Sequence, residues 1–151
     1  IRDQPRSRGL GDVYKRQVLE RGEILVEVEA PKQTPGEGSS FKKLVVREGA
    51  LAIVSAAALV GLEGGVISRV RVALGAVAPT PVRARSVEEF LIGREPTPDA
   101  LREASELARR DVSPITDVRG SREYREDMAV VMTRRALEEA VGRALRWRST
   151  G

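Results

Sequence analysis

The sequence predicts an α+β fold: a small antiparallel sheet of three or four strands packed against about three helices. Three observations carry this prediction. Extended, alternating apolar runs fill the first half of the chain and helical periods fill the second. Gly64-Gly65 lies between two apolar runs, the pattern of a tight hairpin. From Ser121 onward, apolar residues recur at helical spacing on two sides of one long helix.

Composition bounds the chemistry. The 151 residues suffice for one domain with a modest core. The longest apolar run, Leu51 to Leu62, is too short to span a membrane. The absence of Cys and His excludes disulfides, thiolate metal sites, Cys nucleophiles and every triad that needs imidazole. Most of the net charge of +4 sits in residues 1–17, where five cations face two anions. The remainder is nearly neutral and poor in aromatics, so nucleic-acid binding is not expected.

Residues 1–17, "IRDQPRSRGLGDVYKRQ", are polar and lack any helix or strand period. They carry no apolar segment of the kind a secretory signal needs. They resemble translated adapter sequence and are expected to be non-native or disordered; the alternative is a flexible basic arm. In Gly22 to Pro31, Ile24, Val26 and Val28 alternate with Leu25, Glu27 and Glu29, which predicts a strand ended by Pro31. Lys32 to Ser40 is turn-rich and holds the expected domain boundary. The expected units are therefore 1–17, 18–38 and 39–148.

Phe41 to Glu48 is a second extended run. Leu51 to Gly61 and Val66 to Leu74 pair across the glycine turn; an Ala-rich helix is the alternative for the first. Alternation in the second run puts Val66, Ser68, Val70, Val72 and Leu74 on one face, with Ile67, Arg69, Arg71 and Ala73 on the other. Two prolines stiffen the connection that follows, and Arg83 is expected to pair with Glu88 or Glu89. A short helix over 86–92 is expected to be capped by Ser86 and stopped by Gly93. Thr97-Pro98 opens the next helix, with Leu101, Ala104, Leu107 and Ala108 facing the core.

Pro114 and Gly120 then force a corner, and Ser121 is placed to cap the last helix, to about Arg146. Tyr124, Met128, Val131 and Met132 form one apolar stripe; Leu137, Val141, Ala144 and Leu145 form another. Asp117, Arg119, Arg122, Glu123 and Arg125 crowd the corner with opposite charges. The spacing admits a local ion-pair network or a solvated loop, the loop being the simpler of the two.

Several motifs carry a family resemblance. Pro114, Asp117, Arg119, Ser121, Tyr124 and Arg125, followed by Arg134-Arg135-Ala136-Leu137, resemble the "P-x-x-D-x-R-x-S-x-x-Y-R" signature and "R-R-A-L" helix of one family. It is the C-terminal domain of the FAD-binding medium subunit of molybdenum hydroxylases, the carbon monoxide dehydrogenase and xanthine dehydrogenase family. Arg71 to Gly75 with Arg83 and the start at Phe41 to Arg47 are similar to further motifs of that family, in order. The family's acidic residue after the Arg has no counterpart at Gly49, Ala50 or Leu51.

The resemblance covers about Val18 to Leu145 and implies the same fold. It implies a subunit of an oxidoreductase, cytoplasmic, in which FAD takes electrons from iron–sulfur clusters and passes them to an acceptor. Molybdopterin and the clusters sit on a large and a small partner subunit. It implies that Leu25, Lys42 and Lys43 are cofactor-binding positions. By the residues alone, Leu25 is an apolar position on a mixed strand and the lysines are surface cations. No Gly-rich phosphate-binding loop is present, so the chain alone is expected to bind FAD weakly and to be inactive. The competing expectation is a stand-alone interaction or dimerisation domain without redox role.

Overall fold

The computed structural model describes residues 22–148; the basic segment 1–17 lies outside the described residues. Four antiparallel strands form one sheet in the order β1-β2-β3-β4, with β1 at Glu37–Leu44, β2 at Val54–Glu63, β3 at Val66–Gly75 and β4 at Val82–Arg83. Helices α1 (Arg85–Leu91), α2 (Pro98–Glu106) and α3 (Arg122–Arg148) follow, with a 3-10 turn at Leu107–Arg110 after α2. This is the expected α+β architecture, including the order of strands before helices.

The 51–61 run is a strand and not a helix. Its Ala, Val and Leu residues alternate between a face with Val54, Ala56, Ala58 and Val60 buried and a face left partly open. Gly64 and Gly65 both take positive φ, +59° and +91°, which a two-residue hairpin turn requires and L side chains resist. Beyond the turn, β3 departs from strict alternation. Gly61 pairs with Arg69 and Leu62 with Ile67, so Ser68 is an inserted residue, a bulge. The insertion turns Ile67 inward beside Val70, Val72 and Leu74, and leaves Ser68 exposed, the reverse of the simple phase.

All three helices cover one face of the sheet. Helix α3 lies across β1 and β2, with α2 packed on its far side and α1 against β3. Its two apolar stripes merge into a broad buried band of Ala129, Met132, Ala136, Leu137, Ala140, Val141 and Ala144, because it is sandwiched between layers. Tyr124 and Leu145, at the ends, stay exposed. The approach to β1 is close: a Cβ on Gly38 would overlap the backbone of Ala140 and Ala144.

Three local expectations need correction. Residues 24–28 form no strand. Ile24, Val26 and Val28 are largely exposed, and alternation alone does not make a strand where no neighbour supplies ladder hydrogen bonds. Ser86 does not cap α1; it lies inside the helix, and the Asp111 carboxylate accepts its backbone N–H at 3.0 Å and its hydroxyl at 3.3 Å. A residue 25 positions further on thus satisfies that donor. At the corner the solvated-loop alternative fails. Arg125 is buried and donates to the carbonyls of Ile53 and Ala76, each at 3.0 Å, and to Asp117 at 2.5 Å. Arg119 joins this network through Asp117, while Arg122 pairs outward with Glu126.

Other expectations hold. Thr97 caps α2 by accepting the Ala100 N–H at 3.2 Å, and Ser121 caps α3 by accepting that of Tyr124 at 3.2 Å. Arg83 pairs with Glu88, whose carboxylate also accepts the Val72 N–H at 2.8 Å.

Candidate functional site

Among the described residues, the opposite face of the sheet carries no helix. Phe41, Ala57 and Ala73 form an apolar row across it by register, next to a row of Ser39, Leu59 and Arg71. Phe41 is exposed there. Arg69 and Arg83 on this face are already paired, with Glu37 and Glu88.

The candidate site lies at the sheet's edge, where β1 meets the middle of α3. An open groove of about 610 Å³ is lined by Lys42, Lys43 and Leu44 from the strand, and by Met132, Arg135, Glu138 and Glu139 from the helix. Leu44 and Met132 give it an apolar floor. Lys42, Arg135 and two carboxylates surround that floor; Lys43 borders the groove through the strand, its side chain alternating to the face that Phe41 shares.

The carboxylates are taken up within the protein. Glu139 binds the Lys42 ammonium, accepts the Ser40 hydroxyl at 2.9 Å and pairs with Arg143 at 2.5 Å. The hydrogen bond from Lys42, then that from Ser40, holds its carboxyl down at about 2, well below the usual 4.5. Glu138 lies 3.8 Å from Arg134. Lys43 and Arg135 have no ion pair among the described residues, and both are exposed.

Of the three positions that the sequence singled out, Lys42 turns its side chain to the helix, whereas Lys43, two residues beyond Phe41, lies on the uncovered face of the sheet. They are not equivalent. Lys42 is tied to the helix, and Lys43 is free of any carboxylate. Leu25 is about half exposed, lies in an irregular segment, and does not line the groove. Sequence reasoning missed Arg135 and Glu139 as site residues. Arg135 was visible only as one letter of the helix motif, and nothing local in sequence links Glu139 to a lysine on a strand.

Residues 39–140 match the model of the CO dehydrogenase flavoprotein C-terminal domain. The chain belongs to that family. The carbon monoxide dehydrogenase medium chain of Hydrogenophaga pseudoflava is 33% identical over 126 residues, which cover 83% of this chain and 44% of the relative. The xanthine dehydrogenase FAD-binding subunit of Escherichia coli O157:H7 is 34% identical over 129 residues, again 83% and 44%. Among solved structures, carbon monoxide dehydrogenase from Hydrogenophaga pseudoflava superimposes with a TM-score of 0.81 at 35% identity, over 85% of this chain and 45% of that one. Quinoline 2-oxidoreductase from Pseudomonas putida 86 gives 0.69 at 32% identity, over 74% and 39%. The chain spans less than half the length of the curated relatives it matches.

The flavoprotein C-terminal domain therefore includes the β1–α3 groove, and its donor set suits one part of FAD. The Arg135 guanidinium over an apolar floor fits the edge of a planar ring whose reduced form is negative, while the charge of Lys42 is already met by Glu139. The pyrophosphate finds no such fit among the described residues. The adjacent glycines 64 and 65 sit in a hairpin turn, not between a strand and a helix N-terminus where a phosphate would be cradled. No cluster of metal-ligating side chains occurs among the described residues, and no helix there is long and apolar enough to cross a membrane.

Proposed function

We propose that this chain is the C-terminal part of the FAD-binding subunit of a cytoplasmic molybdenum hydroxylase. Units 18–38 and 39–148 would then be the last segment of the FAD-binding domain and the flavoprotein C-terminal domain. The observations that support the reading are the match of residues 39–140 to the flavoprotein C-terminal domain and the groove in which Lys42 and Arg135 stand with Leu44 and Met132, Lys43 lying on the uncovered face of the same strand.

Bound FAD would supply electron transfer from the iron–sulfur clusters of a small subunit to an acceptor, the clusters being fed by a molybdopterin-binding large subunit. This chain's residues hold and orient. Lys42, fixed by Glu139, presents a cation at a set place in the groove, and Lys43 offers an unpaired one on the other face of the strand. Leu44 and Met132 exclude water from beneath the ring. Leu25 would reach the flavin from the preceding segment. The uncovered sheet face with Phe41 supports docking against the rest of the assembly.

Because the groove matches only the ring end, the chain alone should bind FAD weakly and carry no activity. Chemical-shift mapping of the 151-residue chain tests this. Adding FAD should move the amides of 42–44 and 132–139, with weak, non-stoichiometric saturation, while ADP should leave them still. Equal shifts from ADP, or shifts confined to other surfaces, would overturn the reading. Tight stoichiometric binding would overturn the statement about the isolated chain.

A further inference from the structure

The chain enters the sheet through a turn that a buried carboxylate holds shut. In Thr34-Pro35-Gly36-Glu37 the Glu37 N–H donates to the Thr34 carbonyl at 2.9 Å, and Gly36 takes a φ of +84°, the pattern of a type II turn with proline and glycine at its centre. The Glu37 carboxylate accepts the Thr34 N–H at 2.9 Å through one oxygen and the Arg69 guanidinium at 2.8 Å through the other. Glu37 is buried, although residues 22–32 before it are exposed. Arg69 lies two strands away. Glu37 on β1 pairs with Gly61 on β2, and Gly61 pairs with Arg69 on β3, so the two charged side chains meet across a position that has no side chain. A Cβ on Gly61 would stand 3.2 Å from the Arg69 Cβ and 3.4 Å from the Glu37 Cγ. The Leu62 N–H donates to the Gly36 carbonyl at 3.0 Å and fastens the turn to β2 as well. The last residues before β1 are thus tied to both β2 and β3, where the sequence pattern alone reads a turn-rich boundary.

We propose that Glu37 is a hinge stop. Its carboxylate fixes the direction in which residues 22–33 leave the domain, so that a unit joined through them meets the sheet in a set orientation and does not swing on a free linker. The proposal goes beyond the flavin reading and does not depend on it. A carboxylate suits the task because its two oxygens serve donors from two separate segments at once, and burial removes the competition of water for both bonds. Arg69 supplies the fixed end, since its backbone belongs to the central part of the sheet.

The chain contains no Cys, so Lys32→Cys accepts a single spin label two residues before the turn. In the otherwise unchanged 151-residue chain, that label should broaden one confined set of domain amides. Adding Glu37→Ala should weaken and scatter the broadening and speed hydrogen exchange of the Thr34 N–H by about 10-fold or more. The urea midpoint should move little, because Arg69 is half exposed and regains water. Arg69→Met keeps the apolar stem and removes the charge, and should produce the same two changes to a smaller extent. A broadening pattern that is diffuse before Glu37 is altered, or that Glu37→Ala leaves in place, would overturn the proposal. Faster Thr34 exchange with an unchanged pattern would overturn it too, since the carboxylate would then close the turn without directing the segment. Should Glu37→Ala unfold the chain, Arg69→Met decides by the same two readings.

Discussion

Arg125 is the residue whose loss should harm this fold most. Its guanidinium enters the interior where three segments meet: Ile53 at the start of β2, Ala76 after β3, and the Asp117 turn. Replacing it with Met keeps much of the volume and removes every donor. The two carbonyls, each bonded at 3.0 Å, would lose a charged donor, at about 1.5 kcal/mol or more apiece. Asp117 is partly exposed and regains water, so its share is smaller. Arg125 Nε has no partner among the described residues and adds nothing to the loss. The expected destabilisation is about 3–5 kcal/mol, in the range for breaking one side of a buried charged network. For a domain of this size that is a fall in Tm of roughly 10–20 °C. Urea and thermal unfolding followed by far-UV circular dichroism would measure it, and Arg125→Lys, which keeps charge and one or two donors, should lose about half as much. A loss below about 1 kcal/mol for Arg125→Met would refute the claim that this side chain locks the corner.

Two further outcomes follow from packing and charge. Gly38→Ala places a methyl into the backbone of Ala140 and Ala144, which cannot retreat as a side chain could. It should destabilise by about 1–3 kcal/mol or prevent folding, seen as a lowered urea midpoint, whereas Gly49→Ala, with nothing near its Cβ, should lose less despite its positive φ of +77°. Glu139 titrates at about 2 in the folded chain against an ordinary 4.5. A depressed carboxylate stabilises the fold fully above the unfolded value, and that contribution is lost as pH falls from 4.5 towards 2. The urea midpoint should therefore decline across that window, and Glu139→Gln should flatten the decline without changing its shape near neutrality.

The sequence made the long-range architecture legible wherever a local pattern and its partner lie close together. Gly64-Gly65 set the hairpin because both residues must take positive φ. Thr97-Pro98 and Ser121 set two helix starts because the capping oxygen lies within three residues of its donor. Where the partner is remote, local pattern misleads. Ile24, Val26 and Val28 alternate like a strand, but a strand needs a neighbour, and none pairs with them among the described residues. Ser86 looks like a cap, but Asp111 supplies the acceptor from across the helical layer. Ser68 inserts a bulge that no alternation count could locate. The groove shows the same division. Lys42 and Lys43 were found through a motif on one strand, whereas Glu139 and Arg135 matter only because α3 crosses that strand.

That crossing ties the stability of the domain to the shape of its site. Helix α3 is fixed at three heights. Near its N-terminus Arg125 pins it to the ends of β2 and β3. In its middle Glu139 clasps Lys42 and Ser40 on β1. Towards its C-terminus Ala140 and Ala144 press on Gly38. Arg135 lies between the first and second of these points, so its place over β1 is set by the seating of the whole rod and not by any local loop. A substitution at Gly38 or Arg125, both away from the groove lining, should therefore shift the groove amides of 42–44 and 132–139 along with the unfolding midpoint, whereas Phe41→Ser, on the uncovered face of the sheet, should leave α3 and the midpoint nearly unchanged. If the Gly38 and Arg125 variants lost stability while the groove amides stayed at their original shifts, α3 would be a passive cover over the sheet and the site would be organised by β1 alone.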